Sequence, residues 1–384
     1  MRILIGTPQQ DAQGGPAACE PPFNRELRLQ GAEVDEEVYT FTVATGLFSR
    51  TRRVVRTASR FRKRAAGGSY DIIHLNTSFD TMALFRDDTV VRRLPKTRAR
   101  LFLKFHGSDA RLLETRNPLL RAMANHLLSR ADGIGVLSSE ERDNFLRAGV
   151  PERKVFQVKN VVEPIAAASN FGFKEQLKVP QDTPLLLFIG RFIPAKGLLD
   201  CINACKLLAD RGEQLMLLCV GDGPARMEAE AAVARLGLKS TVRFFGYISE
   251  AEAAGFYANS TMLVFPTYHY EGFPMVIFNA AAHGLPLITT RIRAAADFLR
   301  EPDNCLWVEP QRPDLLAEKI TALLRDAGLR KTMATNNQKL AAQFSAEIVT
   351  REYVEIYRSL EAGAVGRRQG QSAGPRDTQA PHVE

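Results

Sequence analysis

The chain lacks the features that would mark a membrane or secreted protein. No apolar run among its 384 residues approaches the roughly 18–20 residues that a spanning helix needs. Its first residues, Met1-Arg2 followed by Ile3-Leu4-Ile5, enter a strand pattern at once, without the apolar core of a signal peptide. The five cysteines, Cys19, Cys201, Cys205, Cys219 and Cys305, are odd in number and scattered, which argues against a disulfide framework. Cys201 and Cys205 stand one helical turn apart, yet no second pair completes a zinc site. They read as small core residues in a reducing compartment. No strand-associated Asp-x-Asp is present to hold a divalent metal with a diphosphate. Nor is a pair of opposed carboxylates of glycosidase type evident. These absences predict a cytoplasmic chain that needs no metal and no cofactor.

What is present is ordinary globular composition, 45% hydrophobic and 24% charged, in a chain long enough for two domains. The net charge of +8 is unevenly spread. Positions 1–180 carry 29 Lys/Arg against 20 Asp/Glu, a balance of 29 − 20 = +9, and the remainder 22 against 23, or −1. The densest part is Arg50, Arg52, Arg53, Arg56, Arg60, Arg62, Lys63 and Arg64, and no acid occurs between Glu37 and Asp71. With Phe48, Val54, Val55 and Phe61 interleaved, segment 50–64 reads either as a basic helix on an anionic membrane surface or as a solvated helix face. No recognition motif accompanies the charge, so nucleic acid is not the expected partner.

Short apolar runs alternate with helical stretches, the pattern of parallel α/β units. Strands are predicted at Ile3–Ile5, Asp71–Leu75, Leu101–Phe105, Gly133–Leu137 and Val155–Val158. A second series follows at Leu185–Ile189, Leu215–Val220, Val242–Phe245, Met262–Phe265, Pro286–Ile288 and Leu306–Val308. Helices are predicted near 197–210, 224–236, 249–258, 274–283, 313–325 and 346–360. The resulting division is a Rossmann-like domain over 1–163, a linker over 164–183 and a second such domain over 184–345. A terminal helix over 346–361, packing back toward the first domain, and a disordered tail over 362–384 complete it. Two doubly wound domains in tandem imply a cleft at the carboxyl ends of both sheets.

Two segments carry chemistry. In Gly190-Arg191-Phe192-Ile193-Pro194-Ala195-Lys196-Gly197, two cations flank the loop between a strand and a helix, a setting that suits a diphosphate. In Phe265-Pro266-Thr267-Tyr268-His269-Tyr270-Glu271-Gly272-Phe273-Pro274, Glu271 stands at a strand-to-helix turn, where its side chain can point into a cleft. Together the Gly-Arg-x4-Lys-Gly loop and the later Glu-Gly-Phe segment resemble the family 4 retaining glycosyltransferases of the GT-B fold, up to about residue 360.

That resemblance implies a donor diphosphate held by Arg191 and Lys196, with Glu271 bonding hydroxyls of the transferred sugar. The backbone of Gly272, Phe273, Pro274 and Met275 would meet sugar and phosphate. Gly221-Asp222-Gly223 and Tyr247 would lie near the base. His106, in Phe105-His106-Gly107-Ser108-Asp109 after a strand, matches the histidine that the family places beside donor sugar and phosphate. Gly15, in Gly14-Gly15-Pro16, is either the family's donor-facing glycine loop or a plain turn. Ser138-Ser139-Glu140 and Asn160, also after strands, are secondary candidates for acceptor or interdomain contacts. One position departs from the pattern: Asn279 stands where the family usually has a second glutamate gripping the ribose diol. An amide still offers an acceptor and two donors.

The expected reaction is retaining transfer of a sugar from a nucleotide-diphosphate donor to a glycan or lipid-linked acceptor. Another GT-B chemistry, epimerase or phosphorylase, and a nucleotide-sugar-binding module without catalysis remain alternatives. Surface polysaccharide or glycolipid assembly at the inner face of the membrane is the expected setting.

Overall fold

The computed structural model describes residues 1–9, 14–40, 47–164 and 172–371. Among these, twelve strands form two six-stranded sheets in which every pairing is parallel. The first contains β1 (Arg2–Pro8), β2 (Glu33–Thr40), β3 (Ile72–Phe79), β4 (Arg100–Ser108), β5 (Gly133–Val136) and β6 (Val155–Gln157). The second contains β7 (Leu185–Ile189), β8 (Met216–Val220), β9 (Val242–Gly246), β10 (Met262–Phe265), β11 (Leu287–Thr289) and β12 (Cys305–Trp307). Central strands such as Leu185–Ile189 and Met216–Val220 are buried along their whole length, because helices cover both faces of each sheet.

The strand orders are β2-β1-β3-β4-β5-β6 and β12-β11-β10-β7-β8-β9. Chain order reverses between β1 and β3 in the first sheet and between β7 and β10 in the second. At each reversal the flanking connections leave on opposite faces, so a crevice opens beyond the carboxyl ends of those strands.

Three apolar clusters hold the molecule. One belongs to the second sheet and one to the first. The third is shared: Phe273, Met275, Phe278 and Phe344 join Ile3, Ile5, Phe23 and Phe102. The helix Ala346–Gln371 lies on the N-terminal lobe, with Val349, Tyr353 and Tyr357 buried in that shared cluster. Lys159 Nζ meets Glu352 Oε1 at 2.6 Å beside it. All five cysteines are buried.

Several expectations need correction. Strand β2, Glu33-Val34-Asp35-Glu36-Glu37-Val38-Tyr39-Thr40, is absent from the sequence reading. It is an edge strand whose acids are neutralised from outside, Asp35 by Arg2 at 3.0 Å, Glu36 by Arg28 at 2.6 Å and Glu37 by Arg60 at 2.7 Å. A strand so charged does not look like one buried on both faces. The helix Ala327–Ala341 was likewise not foreseen. The terminal helix runs to Gln371, past the expected end at 361. Residues 372–384 of the expected tail, and 165–171 of the expected linker, lie outside the described residues. The basic segment is a helix, Leu47–Gly67, on which Val55 is exposed but Phe61 is not part of a spare face. Phe61 is buried edge-on against Tyr39, with centroids 5.2 Å apart, so it anchors the helix to its own sheet.

The junction with the terminal helix carries a titratable group. His74 on β3 is fully buried, and its Nδ1 lies 2.5 Å from the Tyr357 hydroxyl. Burial pushes its imidazole down to about 3, against about 6.5 in the unfolded chain. The unfolded state therefore binds the extra proton first. The stability that depends on neutral His74 is complete above about 6.5 and is lost as pH falls toward 3. From pH 7 to pH 5 the loss from this residue is about 2 kcal/mol. His74→Gln should flatten the fall in melting temperature between those two pH values; an unchanged fall would remove His74 as its source.

Candidate active site

The carboxyl ends of β7, β8 and β10 face Gly14, Gly15 and Ala18, which follow β1, across a cavity of about 730 Å³. Strand β7 ends at Ile189, and Gly190 turns the chain at φ +145° to deliver Arg191. A single 3-10 turn, Pro194–Lys196, then leads through Gly197 into the helix Leu198–Asp210. Arg191 is exposed, and among the described residues its side chain has no hydrogen-bond or ion-pair partner. Lys196 reaches back across the loop: Nζ lies 2.9 Å from Glu271 Oε1 and 5.7 Å from the centre of the Phe265 ring. That ion pair has the distance but not the angles of a hydrogen bond, so Glu271 Oε1 retains capacity to accept one. The helix Met275–Ala282 starts at Pro274 without a side-chain cap, so its first turn offers unsatisfied N–H groups and the positive end of a dipole.

Of the residues expected at the donor site, Gly15, Arg191, Lys196, Tyr247, Glu271, Phe273, Pro274, Met275 and Asn279 all line this one cavity. Gly221 and Asp222 line it as well. A Cβ on Gly221 would come within 2.0 Å of the Gly190 carbonyl, so the β7 and β8 turns pack at a distance only glycine permits. Asn279 lines the wall together with Tyr257. The Phe273 ring stacks on Phe278 with centroids 3.9 Å apart, fixing the loop that carries it.

His106 and Gly272 do not line the cavity. They meet each other beside it: a Cβ on Gly272 would fall 2.6 Å from the His106 carbonyl oxygen. The His106 ring points into a buried network beneath the cleft. Its Nε2 lies 3.1 Å from Asn76 Oδ1 and 3.3 Å from Glu20 Oε1. Asn76 donates from Nδ2 to Glu20 Oε2 at 2.7 Å, and Lys104 Nζ donates to Glu20 Oε1 at 2.7 Å. Both neighbours of Nε2 are acceptors, so Nε2 carries the ring proton. Nδ1, buried and without a partner, is then a bare acceptor. Burial, reinforced by Lys104 and opposed by Glu20, holds this imidazole below its usual pKa. Burial, the largest single influence, would raise the Glu20 carboxyl, but the Lys104 ammonium together with His106 and His74 outweighs it and leaves the group below the ordinary carboxylate range.

Cys19, Glu20 and His106 bring ligand atoms within 4.8 Å of one another. The Lys104 ammonium already sits on that carboxylate, and burial pushes the Cys19 thiol up. The cluster is a hydrogen-bond network with its own cation. It is a poor place for a second one.

The lobes are tied by a residue the sequence did not announce. Arg293, buried and held at φ +35°, follows β11 in the C-terminal lobe and reaches into the N-terminal one. Nη2 donates to the Ser108 carbonyl at 2.8 Å, Nη1 lies 3.3 Å from Glu141 Oε1, and Nε lies 3.4 Å from Glu140 Oε1. Its guanidinium also sits 5.3 Å over the Tyr270 ring, next to Glu271. Ser139 donates its amide to Asp297 Oδ2 at 2.8 Å, so Ser139 and Glu140 are interlobe contacts. Ser138 instead caps its own helix, accepting from the Glu141 amide. Asn160 is buried with Nδ2 at 3.9 Å from Met275 Sδ. His269 was also passed over. Burial lowers its pKa, with Lys196, Arg293 and Arg191 adding to the effect and Glu271 opposing it.

Two facing Rossmann-like lobes with a cleft between them define the GT-B architecture. The Glycosyl transferase 4-like domain matches residues 4–160, and Glycosyl transferases group 1 matches residues 171–340. An uncharacterised glycosyltransferase of Methanocaldococcus jannaschii is 31% identical over 67% of this chain and 68% of its own. The chain belongs to the family 4-type glycosyltransferases of the GT-B fold. The capsular polysaccharide biosynthesis glycosyltransferase CapM of Staphylococcus aureus is 29% identical over 50% of each chain. In general the chain spans about half to two thirds of the length of the curated relatives it matches. Among solved structures, Anabaena HepE in complex with UDP and glucose superposes with a TM-score of 0.74 at 20% identity. It covers 94% of this chain and 100% of that one, a likeness of fold. Among the described residues, no helix is long and apolar enough to cross a membrane.

Proposed function

We propose that this chain is a retaining glycosyltransferase acting on a nucleoside-diphosphate sugar. The observation that carries the reading is the convergence of Arg191, Lys196, Glu271 and an uncapped helix start on one interlobe cavity. The diphosphate lies against the two cations and the helix amides, and Glu271 accepts from hydroxyls of the sugar. As the bond from C1 to the phosphate oxygen breaks, its electron pair passes to the leaving nucleoside diphosphate, whose charge Arg191 and Lys196 stabilise. The acceptor hydroxyl attacks C1 from the same face and gives its proton to a phosphate oxygen of the leaving group. No dedicated general base, divalent metal or cofactor is needed in this scheme. His106, neutral and held by Glu20 and Asn76, packs against Gly272 beside the cavity.

The acceptor is a glycan or a lipid-linked sugar, in keeping with the capsular polysaccharide role named for the Staphylococcus relative. The setting is the cytoplasm, at the inner face of the membrane, where the arginines of the Leu47–Gly67 helix meet anionic lipid. With Phe61 committed to the core, that attachment is by charge and weakens with salt.

A thermal-shift screen of common nucleotide sugars tests the donor reading, since a bound donor raises the melting temperature in proportion to its affinity. Incubation with the stabilising donor, followed by NMR of the products, separates retained transfer from epimerised donor, phosphorolysis and binding without turnover. Asn279 gives a graded check. An amide makes bonds of about 0.5–1.5 kcal/mol where a carboxylate makes about 1.5–3. Asn279→Glu should therefore tighten nucleotide binding about fivefold by calorimetry. Equal or weaker binding would place the ribose elsewhere.

A further inference from the structure

We propose that a second cavity, lined by arginines of the Leu47–Gly67 helix, holds an oxyanion carried by the acceptor: a phosphate, diphosphate or carboxylate. This cavity has a volume of about 600 Å³, within the range of small-molecule sites. Arg52, Arg53, Arg56 and Arg60 line it together with Gln9 and Val38, and among the described residues none that lines it is acidic. Gln9 directly follows β1 and Val38 lies near the end of β2, so the cavity opens at the carboxyl edge of the N-terminal sheet. Gly14 and Gly15, at the same edge, line the donor cavity. Both cavities therefore open at the carboxyl edge of the N-terminal sheet, where a donor and an acceptor for one transfer would meet.

Part of the charge here is not consumed by the fold. Arg60 is paired with Glu37 at 2.7 Å and donates to the Val38 carbonyl at 3.2 Å, which fixes the floor. Arg52 and Arg56 are exposed and have no ion-pair partner among the described residues. Guanidinium groups one helical turn apart present parallel N–H forks, the geometry that grips phosphate or carboxylate oxygens in pairs. Arg52 and Arg56 thus bring two guanidinium groups without an ion-pair partner to a concavity on which, among the described residues, no acid stands.

The assignment rests on the transferase reading, and calorimetric titration of the full chain with inorganic pyrophosphate separates the two. Parent protein should show two classes of pyrophosphate site. Arg52→Ala/Arg56→Ala should weaken one class tenfold or more and leave the other unchanged. Arg191→Ala/Lys196→Ala should do the reverse. If the first variant titrates like the parent, the acceptor pocket is wrong; if the second does, the donor reading is wrong. Neither exposed arginine supports the core, so loss of fold is not expected, and circular dichroism checks it. Phosphatidylglycerol vesicles identify the source of the oxyanion. Loss of both vesicle and pyrophosphate binding in the first variant assigns the pocket to an acceptor borne on lipid. Loss of pyrophosphate binding alone assigns it to a soluble one. Loss of vesicle binding alone overturns the proposal, because the arginines would then serve only a headgroup surface.

Discussion

Lys196→Ala is expected to cut sugar transfer about a hundredfold or more, with the fold intact. Lys196 is the one cation placed on both elements of the site: it leaves the turn after β7 and touches Glu271 in the loop after β10 at 2.9 Å. Its side chain is only 14% exposed, so its charge acts through a medium that screens poorly. The charge on a leaving diphosphate grows as the sugar–oxygen bond breaks, so the lost interaction is larger in the transition state than in the bound donor. Turnover should therefore fall further than donor affinity does. Release of nucleoside diphosphate measured against donor concentration separates the two. Turnover equal to the parent would remove the diphosphate role; affinity falling as far as turnover would make Lys196 a binding residue without a share in the chemistry. Glu271 stays partly exposed to water after the change, so little stability should be lost.

Much of this site was legible because its chemistry is local in the chain. Gly190 through Gly197 spans one strand end, one turn and one helix start, and each role follows from neighbours a few residues away. The same holds for the loop from Phe265 to Pro274. What escaped notice depends on distant partners. Glu20 lies on a helix whose Pro21 and Pro22 argue against helix formation, and its meaning comes from Lys104 and Asn76, 84 and 56 residues away. Strand β2 was hidden by acids that only arginines elsewhere render harmless. The membrane reading of segment 50–64 took Phe61 as surface because alternation of charge and apolar residues does not say which face the sheet covers.

Arg293 is the clearest such case, and its replacement should have the largest effect on stability. Arg293→Ala leaves the fully buried Glu141 without its cation. Breaking a buried ion pair from one side costs about 3–5 kcal/mol, a fall in melting temperature of about 5 °C for a chain of this size. Burial already raises the Glu141 carboxyl, with Arg293 the strongest opposing influence. Its removal should therefore let Glu141 take up a proton, and Arg293→Ala/Glu141→Gln should recover part of the loss. The backbone gives an internal control. At φ +35° a non-glycine residue is strained by about 1 kcal/mol or more. Arg293→Gly loses the same charge contacts but sheds that strain, and should be more stable than Arg293→Ala by a similar amount. Thermal melts of the three variants rank them Ala, then Gly, then the double variant only if charge outweighs backbone. If Gly recovers everything, the guanidinium is not the tie between the lobes. Because Arg293 also rests on Tyr270, beside Glu271, the surviving protein should turn over more slowly even where it is fully folded.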